Sequence, residues 1–498
     1  MICIPITANN LDDALRDMAE ASKFADIIEV RLDYIKNPDL KYILERRTKP
    51  LIITNRPDRE GGKFNGSEEE RIAVLKHAIQ LQADFVDIEH DSIHNLCRDT
   101  GLHVPSSKTK FIVSYHNFRE TPDDLISLYQ RLSQSDADTI KIVTHANSIT
   151  DNIKIYRLLQ QARRPLISFC MGEYGIISRI LYKRFGSYLT FASIRKGKES
   201  APGQITIQEF LLTYQAQRQE KDTGIYGLIG NPVSHSISPM IHNTLFKEMN
   251  FNSIYVPFKV DNIGDFFRSF RELDVKGYSV TIPHKESVIN HLDAIDPVAK
   301  KIGAVNTIVN KDGKFVGYNT DCKAAIQALE DIHQVSGMGT KNDHLKDKRI
   351  TLLGAGGAAR AIAFGLQDRG AQVTIVSRNY ERAQSLSRDV GCSSKELKDL
   401  QKIETDILIN ATPVGMLPAV NETPIDKKLL KPSTIVFDTI YNPIETRLLR
   451  EAKAQGCKIV GGLPMFVNQA AAQFELWTGM KPSRALIEDI AYKKLLGE

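Results

Sequence analysis

Over the first 220 residues the apolar positions switch between two periods. Short apolar runs at Ile2–Thr7, Asp26–Asp33, Leu51–Arg56, Phe85–His90, Phe111–Phe118, Thr139–His145, Leu166–Met171 and Leu189–Ile194 predict eight strands. Helical spacing follows most of them, at Leu11–Lys23, Asp39–Arg47, Glu68–Gln82, His94–Thr100, Asp123–Ser133, Asp151–Gln161 and Ile207–Ala216. Thr121, Pro122, Asp123 and Asp124 predict a helix start: a capping hydroxyl, proline at the first helical position, then two acids. Alternating strands and helices at this density predict a parallel (β/α)8 barrel, with an open doubly wound sheet as the competing arrangement. Charged residues favour the barrel. Glu29, Arg31 and Asp33, then Asp87 and Glu89, then Ser114 and His116, recur at alternate strand positions and so share a face. A strand covered by helices on both sides has no place for them, whereas a barrel lumen does.

The polar stretch Gln217–Thr223 predicts a boundary, and the α/β pattern then restarts. Strands are expected at Tyr226–Ile229, Asn252–Pro257, Gly277–Ile282 and Thr307–Asn310, and a loop at Val335–Asp347. A third set follows at Arg349–Gly354, Gln372–Ser377, Ile407–Asn410, Ile435–Asp438 and Lys458–Val460. The expected division is residues 1–220, a second domain over 223–335 completed by 466–498, and a third over 336–465.

Composition adds exclusions. The chain has 498 residues, room for about three domains. Net charge is 65 − 60 = +5 with no basic block, so nucleic acid is not an expected partner. Cys3, Cys97, Cys170, Cys322, Cys392 and Cys457 have no C-x-x-C spacing, which argues against a zinc site or a disulfide framework. No apolar run reaches the roughly 18 residues of a membrane span, and no membrane partner is expected. The N-terminus lacks a basic segment and reads as a first strand; the expected location is the cytoplasm.

Lys141 lies mid-strand, so it is buried in an ion pair with Glu29 or Glu89, or is an amine able to form an imine with a ketone. His116 at a strand end is either a general acid–base or a satisfied polar residue. Glu60, in a glycine-containing loop, either orients an imidazole or is solvated. In order, Glu29 and Arg31, Arg56 with Glu60, Gly61 and Gly62, Ser114 and His116, Lys141, Ser178 and Arg179, and Ser200 through Gln204 resemble type I 3-dehydroquinate dehydratases over about residues 1–218. That resemblance implies a Schiff base on Lys141, with proton transfer by His116 and Glu60 holding the imidazole. It further implies that Arg31, Arg56 and Arg179 face the substrate's carboxylate and hydroxyls, and that Glu29, Ser200 and Gln204 complete the contacts. The first strand lacks the serine often found in that family.

Gly354, Gly356 and Ala359 follow a strand and open a helix, a G-x-G-x-x-A variant of the dinucleotide fingerprint. The next strand ends at Ser377 and Arg378, with Arg382 one turn on, where an NAD site usually carries an acid; arginines suit a 2′-phosphate, so NADP is the expected cofactor. Gly230 to Pro239, Ser279 to Lys285, Gly303 to Thr307, Gly317 to Asp321, Asn410 to Gly415, Asp438 to Pro443 and Gly462 to Gln469 resemble shikimate dehydrogenases across 223–498. The resemblance implies Ser236 and Ser238 on a carboxylate, and Thr281, Asn306, Tyr441 and Gln469 on ring hydroxyls. Lys285 becomes the proton donor and Asp321 holds both lysine and substrate. Gly354, Ala355, Gly356, Gly357, Ala358, Ser377, Arg378, Arg382, Asn410, Ile440 and Gly462 become the cofactor set. Two departures, Ser279 where many relatives have asparagine and Cys322 where glycine is common, are expected near the site. The implied small molecules are 3-dehydroquinate, 3-dehydroshikimate and shikimate, the first half making what the second half reduces. Competing readings are another imine-forming lyase fused to an NAD-dependent quinate dehydrogenase, and a second half that binds NADP without turnover.

Overall fold

The computed structural model describes residues 1–93, 108–335 and 344–497, with backbone alone at 332–335. The expected helix His94–Thr100, Cys97 and most of the expected loop before Arg349 lie outside the described residues. The chain forms two compact units: Met1–Ile225 with Phe246–Leu273, and Tyr226–Leu245 with Asp274–Glu498.

In the first unit, β1 (Ile2–Ile6), β2 (Ile27–Arg31), β3 (Leu51–Thr54), β4 (Phe85–Glu89), β5 (Lys110–His116), β6 (Thr139–His145), β7 (Leu166–Met171) and β8 (Thr190–Phe191) are all parallel. Their order, β7-β6-β5-β4-β3-β2-β1-β8, is that of a barrel, because β8 returns beside β1. Where the ends of the order meet, Tyr188 N donates to Leu166 O at 2.8 Å. Each strand's position fits the sequence expectation, and the open-sheet alternative fails on this order. The interior changes character along the strands. Cys3, Ile27, Ile52, Phe85, Ile112 and Ile167 form an apolar layer. Two and four residues on come Glu29 and Arg31, Asp87 and Glu89, Ser114 and His116, on the same strand faces and toward the C-terminal ends. The polar layer therefore rests on a packed floor.

Local signals set the helices. Asn10 caps Leu11–Ala21, and Ser67 with Glu70 forms a capping box on Glu68–Gln80. One expected start is wrong. The helix after β5 begins at Leu125, and Thr121 does not cap it. Thr121 Oγ1 donates to His145 O at 2.8 Å, and Asp123 pairs with Lys154 at 2.7 Å. A tertiary carbonyl has taken the hydroxyl that local propensity assigned to the cap.

The segment β10 (Ser253–Lys259) with the helix Ile263–Phe270 groups with the first unit. Within the second unit, neighbouring strands run β9 (Gly224–Gly230), β11 (Gly277–Val280), β13 (Thr307–Lys311), β14 (Lys314–Tyr318) and β12 (Ala294–Ile295). β13 and β14 form an antiparallel hairpin. A second sheet is wholly parallel: β17 (Ser393–Glu396), β16 (Gln372–Ser377), β15 (Arg349–Leu353), β18 (Ile407–Asn410), β19 (Ile435–Asp438) and β20 (Lys458–Val460), in that order. Its central strands and the helix Gly357–Asp368 share a core of Ile350, Leu352, Ile362, Leu366 and Ile409. The helix Leu463–Thr478 ties to β13: Trp477 Nε1 donates to Ile308 O, and Gln473 Nε2 to Asn306 O. No described helix is long and apolar enough to cross a membrane.

Candidate active sites

A pocket in the barrel is lined by Glu29, Arg31, Arg56, Glu60, His116, Lys141, Arg179 and Ser200, among others. Lys141 Nζ donates to Asp87 Oδ2 at 2.9 Å and lies 3.6 Å from Glu29 Oε1. Asp87, which carries no role in the sequence reading, is thus the nearer partner, and Glu89 does not pair with Lys141. Burial pushes the Asp87 carboxyl up, but Arg56 and Lys141 outweigh it and hold the group well below the usual range. Glu89 instead takes Arg56 Nη1 and Arg71 Nη1, both at 2.5 Å. Arg71, fully buried on the helix Glu68–Gln80, gives no signal in the sequence as a site residue.

His116 Nδ1 and Glu60 Oε2 are 2.9 Å apart, which leaves Nε2 free. The loop after β3 makes this possible: Gly62 lies so close to Arg56 O that a Cβ there would sit 1.9 Å from it. The tight return carries Glu60 back over the strand end. Burial, then Arg56 and Lys141, depress the His116 imidazolium well below the ordinary range. Burial raises the Glu60 carboxyl to about 8 against the opposing pull of Arg56. Burial thus works against charge on both groups.

The three arginines differ. Arg56 spends its donors on Asp87, Glu89 and Ser114. Arg31 makes a two-pronged contact with Asp33, at 2.9 and 2.7 Å. Arg179, 1% exposed, has Nε and Nη2 without a hydrogen-bond partner and stacks over Phe169. Burial with no carboxylate beside it pulls its pKa below that of an ordinary guanidinium. Gln204 Oε1 accepts from Ser200 N at 2.7 Å, and Gln204 Nε2 is also unpartnered. Two buried donor groups thus await an acceptor.

In the second unit, Lys285 Nζ donates to Asp321 Oδ2 at 2.5 Å. Asn306 Nδ2 donates to Asp321 Oδ1 at 2.8 Å, and Asn306 Oδ1 accepts from Thr320 N at 2.8 Å. Both Asp321 oxygens are engaged, and Thr320 Oγ1 reaches Gln469 O at 3.4 Å. Lys285, Asp321, Asn306 and Gln469 are therefore one connected group. Tyr441 stacks on Phe466, with centroids 4.2 Å apart, and burial raises its hydroxyl to about 12. Ser236 Oγ accepts from Ser238 N at 3.2 Å, and the Thr281 methyl packs against Gly230, which leads into the serine loop. Of the two departures, Ser279 joins this group through Gln473, and Cys322 packs elsewhere. Ser279 Oγ donates to Gln473 Oε1, and Cys322 Sγ packs against Gly365. Gln473, absent from the sequence reading, supports the Asn306 backbone.

The glycine loop suits a pyrophosphate. Gly354 turns at φ +113°, a Cβ on Gly356 would meet open space, and the helix Gly357–Asp368 has no side-chain cap at its N-terminus. Ala355 and Ala358 flank these glycines without adding bulk. A Cβ on Gly357 would lie 2.8 Å from Lys285 Cβ, so the loop and the lysine pack directly together. Arg378 is exposed after Ser377 at the end of β16, and Arg382 donates to Glu286 at 3.2 Å. Asn410 Nδ2 donates to Asp438 at 3.1 Å, and Gly462 N to Ile440 O at 3.2 Å. No group of described residues could hold a metal ion.

Comparison with known proteins agrees with these two constellations. The chain matches the family model of type I 3-dehydroquinase over 2–221. It matches the shikimate dehydrogenase substrate binding domain over 228–308, the shikimate/quinate 5-dehydrogenase family over 338–445, and the shikimate 5′-dehydrogenase C-terminal domain over 462–492. A chloroplastic bifunctional 3-dehydroquinate dehydratase/shikimate dehydrogenase of Arabidopsis thaliana is 42% identical over 99% of this chain and 84% of its own length. An NADP(+) shikimate dehydrogenase of Bacillus cereus is 43% identical over 55% of this chain and 99% of its own. A crystal structure of shikimate dehydrogenase in complex with NADP+ superposes with a TM-score of 0.51 at 39% identity, covering 56% of this chain and 97% of that one. Spanning as it does both halves of the Arabidopsis relative, the chain belongs to the bifunctional 3-dehydroquinate dehydratase/shikimate dehydrogenase family.

Proposed function

We propose that the chain dehydrates 3-dehydroquinate to 3-dehydroshikimate in its barrel and reduces 3-dehydroshikimate to shikimate with NADPH in its second unit. The carrying observation is a single pocket that holds an amine, Lys141, an imidazole–carboxyl pair, His116 and Glu60, and an unpaired guanidinium, Arg179. Arg179 takes the substrate carboxylate through planar paired donors. Asp87 and Glu29 hold the Lys141 amine where it adds to the ketone and expels water as the imine forms. The imine withdraws electrons and acidifies the neighbouring C–H. Neutral His116 takes that proton at Nε2 and returns it to the departing hydroxyl, while Glu60 fixes the ring through Nδ1. Water then releases the ketone and regenerates Lys141. Arg31 and Arg56, engaged with carboxylates, act by orienting Asp33, Asp87 and Glu89, and Ser200 and Gln204 close the pocket.

In the second unit, NADPH when bound supplies a hydride to the substrate carbonyl. Gly354, Ala355, Gly356, Gly357 and Ala358 would take its pyrophosphate, Ser377, Arg378 and Arg382 its 2′-phosphate, and Asn410, Ile440 and Gly462 its nicotinamide end. Lys285 protonates the developing alkoxide, and Asp321 orients that ammonium. Ser236 and Ser238 bind the carboxylate; Thr281, Asn306, Tyr441 and Gln469 surround the ring hydroxyls. Three domains, 1–220, 223–335 with 466–498, and 336–465, and a cytoplasmic setting complete the reading; free Cys3, Cys170, Cys322, Cys392 and Cys457 support a reducing compartment. A coupled assay tests it: purified protein with 3-dehydroquinate and NADPH yields shikimate and consumes NADPH in equal amounts. Borohydride added with 3-dehydroquinate fixes substrate mass on the Lys141 peptide; labelling at another lysine removes the dehydratase assignment.

A further inference from the structure

Asp438 ends β19 with no exposed surface and, among the described residues, no basic residue paired to it. Its carboxylate is nonetheless fully used. Oδ1 accepts from Asn410 Nδ2 at 3.1 Å and from Ile440 N at 3.1 Å, and Oδ2 accepts from Thr446 Oγ1 at 2.7 Å. All three donors are neutral. Such burial is costly for a carboxylate, and here three hydrogen bonds from neutral donors offset part of that cost.

What it holds is specific. Asn410 lies beside Asp438 in register on β18. With Nδ2 committed to Asp438, the Asn410 amide must turn Oδ1 outward, where it accepts from Thr412 N at 3.0 Å and Thr412 Oγ1 at 2.7 Å. Ile440, fixed at its N–H by Asp438, accepts at its carbonyl from Gly462 N at 3.2 Å. Thr446 Oγ1 also accepts from Leu449 N at 3.3 Å, capping the helix Arg447–Ala454. One carboxylate therefore joins the loops after β18, β19 and β20. The sheet order gives those loops a meaning. Arg378 follows β16, the glycine loop follows β15, and β18 and β19 come next on the other side. A dinucleotide laid across this edge, with its 2′-phosphate at Arg378, brings its nicotinamide end to the loops after β18 and β19.

We propose that Asp438 is a positioning residue for the nicotinamide end of the cofactor, acting through Asn410, Ile440 and Gly462 without touching it. This rests on the NADPH-dependent reduction proposed above. Asp438→Asn keeps an acceptor for Asn410 and Ile440, and its amide can donate to Thr446; Asp438→Ala keeps neither. In the full chain, Asp438→Ala should lower kcat for 3-dehydroshikimate reduction about tenfold or more. It should raise the KM for NADPH and NADH by equal factors, because both share the nicotinamide end, while the KM for 3-dehydroshikimate moves less than about twofold. Asp438→Asn, a neutral mimic of the protonated acid and a weaker acceptor, should raise the KM for NADPH about threefold at pH 7.5. A pH arm needs no unstable variant. Burial raises the Asp438 acid to about 6, so lowering pH toward 5.5 converts it to the neutral acid, a weaker acceptor for Asn410 and Ile440. The wild-type KM for NADPH should then rise about threefold relative to that of Asp438→Asn, a comparison that cancels titration of the 2′-phosphate itself. An active wild type whose pH profile superimposes on that of Asp438→Asn overturns the proposal, as does an Asp438→Ala enzyme that loses affinity for NADPH alone. A wild type with no NADPH-dependent reduction overturns the underlying reading instead.

Discussion

Arg179 is the residue where stability and function pull apart. A guanidinium with 1% exposure and two unpartnered nitrogens is a charge the fold does not satisfy. The proposed substrate carboxylate would satisfy it, and a charge-assisted pair of this kind is worth roughly 1.5–3 kcal/mol per bond. We expect Arg179→Leu to raise the KM for 3-dehydroquinate about a hundredfold while leaving the melting temperature unchanged or higher. A variant that melts much lower would mean that the guanidinium supports the barrel. Glu60 makes the matching case for pH. Its folded pKa, raised by burial to about 8, exceeds the ordinary carboxyl value, so the folded chain binds a proton that the unfolded chain has released. The penalty starts near pH 4.5, grows with rising pH and is complete above about 8. Glu60→Gln, which mimics the protonated acid, should therefore match wild type in melting temperature near pH 4.5. It should gain on it steadily up to pH 8 and hold that gain beyond; a gap that narrows with pH would contradict the raised acid. Arg378 is exposed and free of the carboxylates that engage the barrel arginines, so Arg378→Ala should raise the KM for NADPH about tenfold and leave NADH nearly unchanged in steady-state assays.

Among elements, the loop after β3 does the most with the fewest residues. It turns back so closely that Gly62 leaves no room for a methyl against Arg56 O, and that turn is what sets Glu60 on His116. Gly62→Ala should cost the dehydratase about a hundredfold in kcat by shifting this pair, with NADPH-dependent reduction unaffected. Undiminished dehydration would show that the loop reaches its place by another route. Legibility at this scale followed chemistry that is local. Apolar runs marked all eight barrel strands, because a strand between helices and a packed lumen is apolar on both faces below its polar tip. β17, Ser393–Glu396, is an edge strand of Ser, Ser, Lys and Glu and carries no apolar signal. β14 is absent from the expected strands although its signal is local: Asp312 and Gly313, both at positive φ, form the two-residue turn of a hairpin with β13. Thr121 gave its hydroxyl to a distant carbonyl, and Asp87 became the nearer partner of the lysine that spacing offered to Glu29 or Glu89, with Glu29 the second partner. Such choices depend on which strands become neighbours, and one sequence with alternating polar positions fits several. Gln473 stayed hidden for a related reason: it acts on the Asn306 carbonyl, brought near only by folding, and the Asn410 side chain that Asp438 accepts from lies 28 residues away.

At the scale of the molecule, each proposed reaction is complete within one unit. Every residue lining the barrel pocket falls within Met1–Ile225, and Lys285, Asp321, Asn306, Tyr441, Gln469 and the glycine loop all fall within the second unit. Among the described residues, neither group draws a side chain from the other unit, so loss of one chemistry should leave the other intact. Lys141→Ala should abolish dehydration and keep reduction of added 3-dehydroshikimate. Lys285→Ala should cut reduction by roughly 10²–10⁴ and keep dehydration, since it removes the proton donor while the serines and neutral side chains still bind substrate. The two variants mixed in equal amounts then form a complete route from 3-dehydroquinate to shikimate, with 3-dehydroshikimate passing through solution from one protein to the other. We expect the mixture to make shikimate after a lag that shortens as protein concentration rises, because the intermediate must first accumulate to the KM of the intact reductase. Wild-type chain at the same site concentration sets the comparison. An equal lag for wild type and mixture means that the intermediate leaves the wild-type chain before reduction. A wild type with no lag beside a mixture with a long one means that it does not. A mixture that makes no shikimate, although each variant retains its expected single activity, would falsify the independence of the two sites.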